Sequence, residues 1–114
     1  KTTSIPPSYM LNHGGIRIKA SGDFLNANNV KTAQLFFGGA PIGTVSGSSG
    51  SWNIECDVIN NTYNTQSVIF RSGNNVTFSN GTFDTSSVMA VQILGYVAHS
   101  GDYTRCYSLS VERI

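Results

Sequence analysis

Two carboxylates and the single tryptophan of the chain lie within six positions, in the stretch SWNIECD at residues 51–57. Glu55 and Asp57 are two residues apart, so on a β-strand their side chains would share one face at about 7 Å. That separation suits an inverting glycosidase, in which one carboxylic acid protonates the leaving group while the other carboxylate activates water. Trp52 could stack on a sugar ring nearby. These residue types raise the possibility of carbohydrate hydrolysis or carbohydrate binding.

Side-chain alternation along the same strand argues against that chemistry. Trp52 falls on the face opposite to the carboxylates, together with apolar neighbours. A glycosidase acid also needs a raised pKa, which burial in a cleft provides, whereas Asn53 beside Glu55 and Asp57 indicates a face in contact with water or with another subunit. We therefore predict that the inward residues form part of the core: Trp52, Ile54, Cys56 and Val58.

The remaining chemistry-bearing residues match no known catalytic or metal-binding spacing. Nucleophilic catalysis requires a base beside the nucleophile, and the two histidines, His13 and His99, lie far apart outside any recognisable motif. Asp23, Asp84 and Asp102 are expected in turns or at strand ends, without the spacing of a calcium loop. We predict no enzymatic activity, no catalytic residues, no metal ligands and no cofactor.

The charge distribution bears on the partners of the chain. Only 11% of the 114 residues are charged, and the basic residues Arg17, Lys19, Lys31, Arg71, Arg105 and Arg113 are scattered singly. Nucleic-acid binding normally requires clustered Lys and Arg, so we predict no nucleic-acid partner. No apolar run approaches the roughly 18 residues of a membrane span, so we expect no membrane insertion. The chain begins at Lys1 rather than Met, which indicates a processed end or a part of a longer polypeptide, and we expect the second.

The two cysteines allow two interpretations. Cys56 and Cys106 could form one disulfide that closes a loop of about 50 residues and contributes about 3–4 kcal/mol. The default interpretation is instead two small buried apolar side chains. The sequence leaves both open.

Alternating segments separated by turn residues predict an all-β chain. Gly38-Gly39 is a typical two-residue hairpin turn, and Pro6-Pro7 stiffens the start of the chain. About eight antiparallel strands predict a jelly-roll sandwich, with an immunoglobulin-like sandwich still possible because strand order cannot be deduced. We expect residues 1–13 to be a lead-in and residues 14–114 to be the domain. The expected strands are residues 15–21, 31–37, 40–45, 51–59, 65–71, 75–79, 86–99 and 103–114.

The segment SSVMAVQILGYVAH, residues 86–99, is apolar on both faces. Such a strand is usually covered on both sides, within its own domain or by a neighbouring subunit. One predicted face contains Val88, Ala90, Leu94 and Tyr96, and the other contains Met89, Val91, Ile93 and Val97. We predict that Val91 and Ile93 belong to the core.

From Gly15 onward, the order of these segments resembles the compact head domains that end viral and bacteriophage fibres, spikes and tail needles. The resemblance covers residues 15–114 and is one of strand rhythm, without a diagnostic site. The segments that carry it are GIRIKASGDF, KTAQLFFGGAPIG, GSWNIECDVI, TQSVIF, FDTSSVMAVQILGYV and CYSLSVERI.

The resemblance implies a TNF-like jelly roll that forms a homotrimer about a fibre axis on the surface of an extracellular virus particle. Its implied partners are other virion proteins and a host-surface glycan or protein, which loop aromatics such as Tyr63 and Tyr103 would contact. One alternative is a capsid decoration or small capsid protein. Another is a carbohydrate-binding module of a larger enzyme.

Overall fold

Nine β-strands make up the fold in the computed structural model, which describes residues 1–25, 29–97 and 101–114. The described residues contain no helix, and hence none long and apolar enough to cross a membrane. The strands are β1 (Thr2–Ile5), β2 (Gly15–Leu25), β3 (Lys31–Phe37), β4 (Ala40–Gly47), β5 (Gly50–Thr62), β6 (Thr65–Ser72), β7 (Asn75–Gly81), β8 (Met89–Tyr96) and β9 (Tyr103–Arg113).

The strands form two antiparallel sheets that pack face to face. The four-stranded sheet has the order β1-β8-β3-β4, and the five-stranded sheet has the order β7-β6-β5-β2-β9. The predicted all-β antiparallel sandwich is confirmed, with nine strands where about eight were expected. Strands β5, β6 and β7 form a meander within the five-stranded sheet.

The first strand lies in the segment that we expected to be a lead-in. β1 pairs with β8, and Ile5 and Met10 are buried in the core. Pro6-Pro7 ends the strand, and Ser8 and Leu11, both at positive φ, then turn the chain toward β2. Residues 1–13 therefore supply an edge strand and two core side chains to the sandwich.

The core lies between the two sheets and is filled by the inward residues of most strands. All six residues predicted to be core are buried: Trp52, Ile54, Cys56, Val58, Val91 and Ile93. Trp52 packs beside Phe24, with ring centroids 6.2 Å apart. Its burial follows from alternation on β5, which turns it inward and the carboxylates outward.

Three glycines are required by the geometry, two in a hairpin turn and one at a close contact between the sheets. Gly38 and Gly39 have φ values of 59° and 84°, as the predicted two-residue hairpin between β3 and β4 demands. Gly43 on β4 lies against the ring of Phe70 on β6, and a Cβ atom at Gly43 would fall within that ring. The edge of the four-stranded sheet therefore approaches the five-stranded sheet more closely than a side chain would allow.

Candidate functional site

The carboxylates of the opening stretch lie on the outward face of β5, in the middle of the five-stranded sheet. Asp57 is nevertheless only 6% exposed in its side chain, because Arg17 of β2 and Arg71 of β6 lie over it. Arg17 donates from Nε to Asp57 Oδ1 at 2.8 Å and from Nη2 to Oδ2 at 3.1 Å, and Arg71 Nη1 donates to Oδ2 at 3.2 Å. Asp57, which we expected on a solvated or intersubunit face, is covered by its own sheet.

The electrostatics of this cluster exclude Asp57 as a general acid. Hydrogen bonds from Arg17 lower the pKa of Asp57, with a further lowering from Arg71, and together they outweigh the opposing effect of burial. The same contacts raise the pKa of Arg17. A glycosidase acid requires the opposite shift. Glu55 lies 3.0 Å from Arg17 Nε through Oε1, so both carboxylates act as partners of one arginine.

A second cluster lies on the outer side of the edge strand β9. Arg105 donates from Nε and Nη2 to the two oxygens of Asp23 at 2.9 and 2.8 Å, and Tyr107 donates its hydroxyl to Asp23 Oδ2 at 2.8 Å. The Arg105 bonds are the main cause that lowers the pKa of Asp23 to about 2. Tyr103 and Tyr107 are exposed on either side of Arg105. We call Tyr103, Arg105 and Tyr107 the β9 row.

The two predicted binding residues are not brought together. Tyr63 lies in the turn between β5 and β6, near the start of β2, whereas Tyr103 pairs with Leu25 at the end of β2. Ten residue steps along β2 separate these ends by about 33 Å. The two tyrosines therefore cannot contact one small ligand. Tyr107 was missed, although its spacing of two and four residues from Arg105 and Tyr103 on one strand was the available signal.

Tyr63 instead takes part in a buried polar network through its backbone. Its carbonyl oxygen accepts hydrogen bonds from the Thr85 backbone N–H at 2.9 Å and from the Thr85 hydroxyl at 3.1 Å. Asn60 Nδ2 donates to Thr85 Oγ1 at 2.7 Å, and Gln66 Nε2 donates to Asn60 Oδ1 at 3.1 Å. The Phe83 N–H donates to Gln66 Oε1 at 2.9 Å. These bonds fix the connection between β7 and β8 against the β5–β6 hairpin.

No group of three His, Cys, Asp or Glu residues comes together as metal ligands within the described ranges. His13 is exposed, with Nδ1 3.0 Å from the Asn61 carbonyl oxygen, and His99 lies outside the described residues. Asp84 accepts hydrogen bonds from Ser86 and Ser87 in a turn. Asp102 accepts one from Asn29 Nδ2 at 3.2 Å.

The structure agrees with the interpretation that the two cysteines are apolar side chains and not a disulfide. Cys56 is buried and free, and Cys106 is half-buried and free. Burial raises the pKa of the Cys56 thiol to about 12. Both therefore act as small core side chains, as their inward positions on β5 and β9 require.

The outer faces of the two sheets differ in charge. The strand residues that point outward from the four-stranded sheet are all uncharged: Thr2, Ser4, Thr32, Gln34, Phe36, Thr44, Ser46, Ala90, Gln92, Leu94 and Tyr96. The opposite outer face carries the ion pairs Arg17–Glu55, Arg17–Asp57, Lys19–Glu112, Arg71–Asp57 and Arg105–Asp23. We call the first surface the uncharged face and the second the charged face.

Strand β8 lies within the uncharged face. Its inward residues Val91 and Ile93 are buried, whereas Leu94 and Tyr96 on the outward side are exposed. Val97, predicted to share the inward face, is also exposed. Strand β8 is therefore covered by its own chain on one side only, as far as the described residues show.

No family model, no curated protein and no solved structure matches the chain. Its function must therefore be argued from its own geometry.

Proposed function

We propose that the chain is a structural protein of a virus particle that forms a homotrimer through the uncharged face and contacts the host surface, as fibre and spike head domains do. It has no enzymatic activity and no cofactor in this proposal, and its other partners are virion proteins. The observation that carries the proposal is the uncharged face, with exposed Leu94 and Tyr96 on β8.

The composition of the uncharged face supports a contact between subunits. Charged residues are depleted at the centre of protein interfaces, and aromatic residues are enriched there. Leu94 lies opposite Gln34, and Phe36 lies opposite Gln92, so Leu94 and Phe36 are diagonal neighbours on adjacent strands. The amide and hydroxyl groups around them bond one another, with Gln34 Nε2 3.2 Å from Thr44 Oγ1. Burying this face would desolvate no ion.

The β9 row suits the contact with a host glycan or protein. Tyr103 and Tyr107 are exposed on the opposite sheet from the uncharged face, so trimer formation would leave them accessible. Tyrosine rings combine an apolar surface with a hydroxyl, which suits binding of sugars and of protein surfaces. The ion pair between Arg105 and Asp23 holds the β9 row in place.

The alternatives differ in what they require. A decoration or small capsid protein would use the same uncharged face but would need no host contact through the β9 row. A carbohydrate-binding module could not stack a sugar on Trp52, which is only 4% exposed, and would have to use the tyrosines of the β9 row without assembling through the uncharged face.

Light scattering on the purified domain tests the assembly. We expect the mass of three chains or of a multiple of three, and we expect Leu94→Lys to abolish this three-fold assembly, because three lysines would enter the interface without partners. Asn53→Lys introduces the same charge at an exposed position on the charged face and should leave the trimer intact. A monomeric wild type, or a Leu94→Lys variant that remains trimeric, would contradict the proposal.

A glycan and cell-binding assay tests the host contact separately. Tyr103→Ala should weaken binding, while the mass of the trimer and the thermal unfolding midpoint remain those of the wild type. Binding that survives Tyr103→Ala combined with Tyr107→Ala would exclude the β9 row and favour the decoration role.

A further inference from the structure

The four sheet edges differ in how they are protected against pairing with another chain. Natural edge strands are blocked by shortness, proline, charge or bulges. β1 has four residues and is followed by Pro6-Pro7. β4 contains Pro41 and an irregular register with β3. β9 carries Arg105 and Glu112 and has an irregular register with β2.

β7 has none of these protections. It runs for seven residues, NVTFSNG, without proline or charge. Its pairing with β6 is regular from Gln66–Gly81 to Ser72–Asn75, and no strand of the described chain pairs with its other side. Val76 is 49% exposed and Phe78 is 75% exposed. Both apolar side chains point outward, opposite Arg71 and Ile69 of β6.

The position of β7 leaves room for another strand beside it. The four-stranded sheet ends at β4, which packs over β5 and β6 and does not cover β7. The result is a groove of about 450 Å³ between β4 and β7, with Val45, Phe70 and Thr77 among its lining residues. The inner residues Asn75, Thr77 and Ser79 are consequently exposed. A strand added to β7 would meet no steric obstacle from the opposite sheet.

We propose that β7 pairs antiparallel with β7 of a second copy of the chain about a two-fold axis, which joins two five-stranded sheets into one sheet of ten strands. An antiparallel ladder places residues that face the same side opposite one another. The register must therefore pair outward residues with outward residues. The register centred on Thr77 meets this requirement. It pairs Val76 of each copy with Phe78 of the other copy.

The strand is its own complement in this register. Residues 75–79 read polar, apolar, Thr, apolar, polar in both directions, so a two-fold axis at Thr77 matches each residue type with its like. The aromatic and β-branched pair is a favourable cross-strand combination. An isologous contact of this kind requires such self-complementarity, which is why a second copy is the occupant that fits.

The charges next to β7 also allow the contact. Arg71 is the only charged side chain on β6, and it is already paired with Asp57. In the proposed register, Arg71 lies in line with Val76 and with Phe78 and Ile69 of the second copy. The second Arg71 lies in the neighbouring row, three strand spacings away, or about 14 Å across the sheet. No like charges meet.

The inference does not rest on the proposed function, because the trimer would use the uncharged face and this pairing uses the edge of the other sheet. The two contacts can therefore fail separately. Leu94→Lys should abolish the trimer without affecting the β7 contact, and Phe78→Lys should have the reverse effect.

Disulfide cross-linking tests the register directly. In a Cys106→Ser background, Thr77→Cys places two thiols opposite each other across the axis, and we expect mild oxidation to give a covalent dimer on a denaturing gel. A cysteine at position 79 points to the same side of the sheet, but it lies opposite position 75 of the second copy, four residues from the second position 79. Ser79→Cys alone should therefore not cross-link. A mixture of Asn75→Cys and Ser79→Cys chains should cross-link to each other.

The outcomes separate a specific contact from random collision. Adding Phe78→Lys to Thr77→Cys should abolish most of the covalent dimer, with an unchanged thermal unfolding midpoint as evidence that the fold is intact. Failure of Thr77→Cys to cross-link over a concentration series would overturn the proposal. Equal cross-linking by Thr77→Cys and Ser79→Cys would also overturn it, because the register would then not be selected.

Discussion

Replacement of Asp57 by asparagine tests the reason why a carboxylate lies buried on the outside of the sandwich. The substitution keeps the shape of the side chain but removes its charge, and it leaves Arg17 and Arg71 facing an amide. Breaking a fully buried pair from one side costs about 3–5 kcal/mol. The arginine side chains are 33% and 36% exposed, so water can partly solvate them. We therefore expect a loss of about 2–3 kcal/mol in the free energy of unfolding at pH 7.

The pH dependence of this loss follows from the lowered pKa of Asp57. The unfolded chain binds a proton at Asp57 near pH 3.9, whereas the folded protein does so only at lower pH. The stability that Asp57 contributes is fully present above its unfolded pKa and is lost as pH falls through its folded pKa. The difference between wild type and Asp57→Asn should therefore be greatest at neutral pH and should shrink in acid.

Chemical denaturation of both proteins between pH 7 and pH 2 measures this difference. Glu55→Gln is the matched control, because Glu55 occupies the same strand and face but is 40% exposed in its side chain, and an exposed ion pair contributes only about 0–1 kcal/mol. Equal stability of Asp57→Asn and wild type at pH 7, or a difference that does not change with pH, would refute the reasoning.

Two further substitutions test the packing and the polar network. Gln66→Met removes a buried side-chain amide that accepts from the partly buried Phe83 N–H and should lower the free energy of unfolding by about 1–3 kcal/mol. Asn53→Leu, at an exposed amide on the charged face, should be nearly neutral in the same denaturation experiment. Gly43→Ala forces a Cβ atom against the ring of Phe70 and should cost about 1–3 kcal/mol. That cost should fall in a Phe70→Leu background, and an equal cost in both backgrounds would contradict the contact.

Local sequence patterns predicted most strands because alternation and turn chemistry act over a few residues. The Gly38-Gly39 pair predicted the hairpin between β3 and β4, because a turn with positive φ at two successive positions favours glycine. Alternation on β5 placed Trp52 inward and Asp57 outward, and the structure agrees with both positions. β1 was missed because a four-residue strand, TTSI, has too few positions for a clear alternation.

Two features of the candidate sites could not be predicted from the sequence, because they depend on which strands lie next to each other in the sheet. The burial of Asp57 depends on Arg17 and Arg71, which are 40 and 14 residues away in the chain. Tyr63 and Tyr103 were grouped as loop aromatics, but strand pairing places them at opposite ends of β2. Neither the burial of Asp57 nor the separation of the two tyrosines can be read from a short stretch of sequence.

The sequence by itself determined the all-β class, the inward and outward faces of most strands and the scarcity of charge. Only the tertiary structure decided where the charges collect and which edges stay open. The separation into a charged face and an uncharged face arises because strands from distant parts of the chain pair in one order, β7-β6-β5-β2-β9, and not another. The open edge of β7 has the same origin, since the four-stranded sheet ends one strand short of covering it. Both results depend on long-range pairing, whose free energy is spread over many contacts and therefore leaves no local pattern.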